Sequence, residues 1–182
     1  MKIKGDPWGE SDILVALQEA TRSLQPALGA TARGMSHFGE HALGWMGIAA
    51  VGALLDEKRR KGWIEMGTAA FTSHAASVIL KRIVRRPRPH REDIEIGVGT
   101  PSALSFPSSH ATSTTAALVY TGWIIDNKSV YVGIPAMMAS RMVLGVHYPT
   151  DVTAGALLGA ATAVAVRKSN VVGRILSRAG RL

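Results

Sequence analysis

The feature that most restricts what this 182-residue chain can fold into is an alternation of apolar blocks with clusters of charge. Residues 42–55 carry no charge and run into Asp56-Glu57-Lys58-Arg59-Arg60-Lys61. Residues 63–80 follow, interrupted by Glu65 and His74, and end in the basic stretch 81–88. Residues 111–125, 129–140 and 152–166 are again uncharged, and Arg167, Lys168, Arg174, Arg178 and Arg181 close the chain. A soluble bundle would show a polar stripe at the helical period, whereas these blocks are apolar or small nearly all round. Each approaches the ~20 residues that cross a bilayer. The expectation is an all-α integral membrane bundle of five to six helices.

Smaller signals agree. Gly155-Ala-Leu-Leu-Gly159 is a small-xxx-small pattern that lets helices approach closely in lipid. Trp63 and Trp123 fall near one expected interface and Trp45 near the other. Glu65 lies near a helix end, where it can reach the interface; His74, in mid-helix, is expected to make an interhelical hydrogen bond. Near the N-terminus, Ile13, Leu14, Leu17, Ala20, Thr21, Leu24 and Leu28 recur at helical spacing opposite Gln18, Glu19, Arg22 and Gln25. That describes an amphipathic helix lying in the interface. Residues 1–8 lack the apolar core and cleavage site of a signal peptide. One domain is expected over 1–182, with an amphipathic N-terminal region (1–34), a helical core (35–168) and a basic tail (169–182).

Composition removes several function classes. With no cysteine there is no disulfide framework, thiolate metal site or cysteine nucleophile. The net charge of +8 and pI near 10.3 would suit a nucleic-acid partner only if the cations shared one face with stacking aromatics. Here they cap apolar segments, and aromatics are 5% of the chain. The expected partners are a lipid phosphate substrate and the bilayer, not nucleic acid.

The polar residues at the helix ends carry the chemistry. Lys81, Arg85 and Arg88, spaced i, i+4, i+7, close one helix; Pro107-Ser108-Ser109-His110 opens the next; Ser140-Arg141 ends another; His147 and Asp151 open the last. In an up-and-down bundle these ends share one mouth. Lys81, Arg88 and Arg141 supply a point charge and two planar forks for a tetrahedral oxyanion. Ser108 suits an N-cap that leaves N–H groups free for an anion, and Pro149 suits a first helical turn after His147. Asp151, four residues from His147, can hold one ring nitrogen and leave the other as a nucleophile, while His110 can protonate a leaving oxygen. Fixed cations can stabilise phosphoryl transfer without a metal, so no cofactor is expected. The reaction read from these residues is attack of His147 on a phosphomonoester, then hydrolysis of a phosphohistidine.

Lys81-x6-Arg88-Pro89, Pro107-Ser108-Ser109-His110 and Ser140-Arg141-x5-His147-x3-Asp151 together resemble the three signature motifs of the type 2 phosphatidic acid phosphatase family, in the family's order. The resemblance implies a helical, metal-independent membrane phosphatase acting on a lipid phosphate. By carry-over His147 is the nucleophile, Asp151 its partner and His110 the acid; Lys81, Arg88, Ser108, Ser109 and Arg141 are phosphate ligands. One departure stands at Ser109, where the family usually has glycine: a Cβ crowds the backbone's approach to phosphate, although the hydroxyl can donate a bond. The short length and the run Ser36-His37-Phe38-Gly39-Glu40-His41 resemble small actinobacterial members, linked to dephosphorylating decaprenylphosphoryl phosphoribose phosphate for cell-wall synthesis. Bacterial relatives also act on undecaprenyl pyrophosphate, phosphatidylglycerophosphate and phosphatidic acid.

Other readings attach to the remaining polar residues. His37-x-x-Glu40-His41 also fits an inverted zinc-peptidase pattern. The stronger expectation places His37, Glu40 and His41 on the substrate headgroup or in an interfacial polar cap. Arg82, Arg85, Arg86 and Arg91 are expected among anionic headgroups, with assistance to phosphate or the substrate headgroup as the alternative for Arg85, which faces the same way as Lys81 and Arg88. Residues 90–106 form either a lid or a plain connector. Ten cations fall on the non-catalytic side and eleven, including Lys2, Lys4, Arg22 and Arg33, on the catalytic side. Setting aside the three assigned to phosphate, the positive-inside rule leans toward an extracytoplasmic site in a bacterial plasma membrane.

Overall fold

The structure, a computed structural model, describes residues 5–179. Lys2, Lys4 and Arg181 of the charge count lie outside the described residues. The described chain forms eight α-helices: α1 (Glu10–Ala20), α2 (Gln25–Gly39), α3 (Leu43–Leu55), α4 (Arg60–Val84), α5 (Ser109–Ile125), α6 (Gly133–Val143), α7 (Pro149–Ser169) and α8 (Val171–Ala179). Among these residues no strand forms, only an isolated bridge between Pro87 and Leu104.

Helix α5 is the axis, packed against α4 and α7 on its broadest faces and against α6 on another. Its sequence makes that position possible. Residues 111–118 are buried throughout, and they are all small or hydroxylic except Leu118. Two hydroxyls turn back on their own helix, Thr112 Oγ1 donating to Ser108 O at 2.8 Å and Ser113 Oγ to Ser109 O at 3.1 Å, and Thr114 Oγ1 accepts from Trp45 Nε1 at 3.0 Å. Helix α7 comes close because Gly155 and Gly159 face α5. A Cβ on Gly155 would stand 2.6 Å from Ser108 O, and one on Gly159 would fall on the Thr112 carbonyl. Ala49, Met66, Ala69, Ala70, Ala116, Ala117, Tyr120 and Ala163 form the resulting small-residue core.

Helix α4, at 25 residues, extends about 38 Å and exceeds the ~30 Å hydrocarbon layer. The stretches Arg22–Leu55 and Pro149–Arg178 are long and apolar enough to cross a membrane. The first is not straight: His41 and Ala42 adopt positive φ (51° and 60°), so α3 packs on α4 while α2 bends across to α6.

The N-terminal amphipathic segment differs from a single interfacial helix. It breaks into α1, a 3₁₀ turn over Arg22–Leu24, and α2, because Pro26 in the first turn of α2 starts a new helix. Helix α1 docks on the end of the bundle, where buried Leu14 packs with Ile94 and Tyr148. Gln18 Nε2 donates to Glu95 O and Val143 O, at 2.8 and 3.0 Å. At the opposite end, Lys61 Nζ donates to Asn170 Oδ1 at 2.8 Å, and Glu65 accepts from Tyr120 OH at 3.2 Å. Part of the basic tail is thus helical, in α8.

Candidate active site

Four helix ends and one loop meet at the end of the bundle where α1 docks. Helix α4 stops at Val84 because Arg85 takes a left-handed conformation (φ 55°), its N–H still bonded to Lys81 O. The chain then leaves the helix axis, and Pro89 follows two residues after Pro87. Arg88 therefore reaches the site from a loop. It is not two helical turns beyond Lys81 on one continuing helix, as the i, i+4, i+7 spacing suggested.

The cavity so enclosed has a volume of about 340 Å³, within the range of small-molecule sites. Lys81, Arg88, Ser109, His110, Arg141 and His147 line it. Lys81 Nζ is held by the carbonyls of Leu104 and Ser105 at 3.2 and 2.8 Å. Arg88 is fixed by Nε donating to Ser102 O (2.7 Å) and Nη1 to Val146 O (2.7 Å). Burial pushes its guanidinium down to about 10, against the pull of Asp151, which leaves it charged at neutral pH. Arg141 is 1% exposed, and its Nε and Nη1 have no hydrogen-bond partner. Buried guanidinium donors left open in a cavity demand an anion.

His147 lies at the centre, 1% exposed. Arg88 Nη1 stands 3.1 Å from Nε2, and Asp151 Oδ2 stands 3.5 Å from Nδ1. With the Nδ1 proton toward the carboxylate, Nε2 is the lone-pair nitrogen and accepts from Arg88. Burial, then the charges of Arg88, Lys81, Arg141 and His110, hold the imidazole well below its ordinary range, so it is neutral at physiological pH. Asp151 is fully buried in the first turn of α7; its Oδ2 accepts from Tyr148 N at 2.9 Å, closing the helix start. His110, in the first turn of α5, donates Nε2–H to Ser36 O at 2.9 Å, so Nδ1 is the nitrogen left to exchange a proton. Gly39 permits this contact, since a Cβ there would sit 2.7 Å from His110 Cδ2. Three fixed cations around a neutral, carboxylate-oriented imidazole, with a second imidazole near by, can bind a phosphoryl group and transfer it to nitrogen.

The sequence matches the PAP2 superfamily over residues 62–172. Two curated relatives are named decaprenylphosphoryl-5-phosphoribose phosphatase. That of Mycolicibacterium smegmatis is 51% identical over 149 residues, covering 82% of each chain. That of Mycobacterium tuberculosis is 49% identical over 154 residues, covering 85% of this chain and 86% of the relative. The chain belongs to the PAP2 superfamily. The structure also resembles the crystal structure of a transmembrane PAP2 type phosphatidylglycerolphosphate phosphatase from Bacillus subtilis. The TM-score is 0.68 at 25% identity, covering 88% of this chain and 85% of that one. This chain is a membrane phosphatase of that superfamily.

Within this PAP2 phosphatase the remaining expected site residues separate. Ser108 is the N-cap of α5, its Oγ accepting from Ala111 N at 3.4 Å; it is fully buried and does not line the cavity. Ser109 does line it, with Oγ 2.7 Å from Ser77 Oγ. His37, Glu40 and His41 lie on the cavity wall. They make no zinc site: α2 ends at Gly39 and His41 is left-handed, so the two histidines are not stacked on one helical face. Among the described residues no three His, Asp or Glu converge to hold a metal.

Several expectations are corrected. Arg85 is exposed and outside the cavity, because its left-handed backbone caps α4. Arg86 meets no headgroups; it is 0% exposed and bonded to Glu10, Thr150 and Asp151. Arg91 pairs with Asp12 and Asp93 on the surface. The Nδ1 of His74 has no hydrogen-bond partner, and its ring, 5.9 Å from that of His41, faces the cavity. The 90–106 loop is pinned as a wall, with Gly97 N donating to Leu144 O and Ser105 N to Arg86 O. His74, Arg82 and residues 98–102 are cavity-lining groups that the motifs did not reveal.

Proposed function

We propose that this enzyme removes the terminal phosphate of a decaprenylphosphoryl-phosphoribose-type lipid, without a metal, through a phosphohistidine at His147. One observation carries the mechanism: His147 Nε2 opens toward Arg88 in a cavity lined by three cations, Lys81 and Arg141 buried and Arg88 half-buried, while Nδ1 faces Asp151. The names and coverage of the mycobacterial relatives support the substrate.

Lys81, Arg88 and Arg141 grip the non-bridging oxygens, with Ser109 donating from the start of α5. Nε2 attacks phosphorus and the bond to the ester oxygen breaks. His110 takes up a second proton as the phosphate dianion binds, gives its Nδ1 proton to the leaving oxygen and becomes neutral, and the developing positive charge on His147 is met by Asp151. Water then enters, gives a proton to the now neutral His110 and attacks phosphorus; the N–P bond breaks and phosphate leaves. His41, Glu40 and His74 provide polar partners for the ribose. His37 and Arg82, also on the cavity wall, are the groups available to the second, linking phosphate of such a lipid.

The catalytic mouth faces away from the cytoplasm. Pairing of Arg86 and Arg91 with carboxylates leaves fewer free cations at this end. The opposite end keeps Lys58, Lys128, Arg167 and Lys168 together with α8.

The test is phosphate release by the detergent-purified enzyme in excess chelator. A polyprenyl phosphoribose phosphate, a polyprenyl pyrophosphate and phosphatidic acid are compared, each beside His147→Ala. Release from the phosphoribose lipid that survives chelation and vanishes in the variant is expected. A metal requirement, or activity without His147, would overturn the mechanism; preference for another lipid would overturn the substrate.

A further inference from the structure

The N-terminal helix carries a carboxylate into the heart of the site. Glu10, 4% exposed, accepts from Arg86 Nη2 at 2.6 Å. Arg86 Nη1 in turn donates to Asp151 Oδ1 at 3.0 Å, on the carboxylate whose other oxygen faces His147. Thr150 binds the assembly sideways: its Oγ1 accepts from Arg86 Nη1 (2.6 Å) and donates to Glu10 Oε2 (2.8 Å), and its N–H donates to Glu10 Oε1 (2.7 Å). The guanidinium is further held between the rings of Tyr148 and Trp8, 3.9 and 5.1 Å from their centroids. Asp6 fixes Glu10 from below by accepting from the N–H groups of Glu10 and Ser11 at 2.8 and 2.7 Å.

We propose that Glu10 and Arg86 are positioning residues for the reaction, forming with Asp151 a buried carboxylate–guanidinium–carboxylate chain that aims and charges the partner of His147. The inference rests on His147 being the nucleophile. Its physical content is a charge balance. Arg86 alone would neutralise Asp151 and remove the negative charge that an imidazolium-like His147 requires. Glu10 offsets Arg86, so the trio carries one net negative charge, delivered at Asp151. The fork of Arg86 also fixes the carboxylate by one oxygen, leaving the other to Tyr148 N and His147. The charged groups facing His147 are then complete: Lys81 from α4, Arg88 from the loop, His110 from α5, Arg141 from α6 and Asp151 from α7. Only the last is negative, and its charge depends on α1. Glu10 lies outside the segment that matches the superfamily, so the N-terminal helix is a working part of the centre.

The experiment compares wild type with Glu10→Gln, Glu10→Asp and His147→Ala on any phosphomonoester the wild type hydrolyses, recording kcat, KM and inhibition by inorganic phosphate. Glu10→Gln keeps shape and loses charge; Glu10→Asp keeps charge and loses shape. The expected result is a fall in kcat of about tenfold or more for Gln, typical of outer-sphere partners, and less than about threefold for Asp. KM and phosphate inhibition should stay within about twofold for both, because the cation cradle is untouched. Glu10→Asp as damaging as Glu10→Gln, or both within twofold of wild type, would overturn the proposal. If Glu10→Gln does not fold, Arg86→Lys replaces it: a point charge cannot bond both carboxylates, so kcat should fall at least fivefold with phosphate inhibition unchanged. An unchanged kcat there would equally overturn it. Activity in His147→Ala would sink the underlying mechanism instead, which keeps the two failures apart.

Discussion

Arg141 shows how one side chain can be committed to an absent-charge environment. Its buried Nε and Nη1 gain partners only when an anion enters. Arg141→Lys should therefore lower kcat/KM by about 10–100-fold, the ~1.5–3 kcal/mol of a charge-assisted hydrogen bond, while leaving thermal stability unchanged or raised. Steady-state kinetics alongside a melting curve in detergent checks both halves. His147 makes an opposite demand on pH. Its folded-state affinity for protons lies well below the ordinary imidazole value of 6.5, so below that pH the unfolded chain binds a proton that the folded one refuses. Stability should fall as pH drops from about 6.5, by up to ~1.4 kcal/mol per unit from this group, until the folded imidazole itself titrates. His147→Gln should flatten that slope in pH-dependent unfolding. The residues of the three motifs were legible because each chemistry needs its residue type at a fixed offset: His147 and Asp151 one helical turn apart, Ser108 two before His110. Glu10, Arg86 and His74 were not. Nothing local distinguishes Arg86 from Arg85, and the partner that explains it lies 76 residues away.

At the scale of elements, the apolar blocks announced α3, α4, α5 and α7, and the small-residue pattern announced that α7 packs closely on a neighbour, though not that the neighbour is α5. Gly159→Leu should destabilise the enzyme by at least about 1–3 kcal/mol, the cost of overpacking, since the Thr112 carbonyl cannot move without breaking α5. A denaturation series in detergent measures this. Gly39→Ala is expected to act differently. Its Cβ would press on His110, so turnover should drop while stability changes little. Less legible were the places where backbone conformation, rather than side-chain pattern, decides direction. The break at His41–Ala42 and the early stop of α4 both rest on positive φ in residues other than glycine, for which sequence gives no cue. The split of the amphipathic segment was marked by Pro26, which a single helix would have carried in its interior, but the apolar periodicity running through it masked the break.

For the whole molecule, catalytic groups gather at one end, and Lys58, Lys128, Arg167 and Lys168 lie toward the other. The chain has no cysteine, so orientation is open to direct labelling with single introduced residues. His90→Cys, at the catalytic end, should react with a membrane-impermeant maleimide in intact cells, and Lys128→Cys should react only after lysis. The reverse pattern would place the site in the cytoplasm.

The left-handed turn at Arg85 has a consequence for how this sequence can vary. It deals consecutive arginines to different fates: Arg85 outward, Arg86 into the protein, Arg88 into the cavity. Those destinations are set by counting along the backbone from Lys81, not by anything in the side chains, which are identical. Exchanging Arg82 or Arg85 for another residue leaves the count intact. Deleting a single residue between Lys81 and Arg85 would bring Pro87 to the post of Arg86 and Pro89 to that of Arg88, emptying both the carboxylate chain and the phosphate cradle at once. Length is thus the inflexible property of this stretch, and composition at its exposed positions the flexible one.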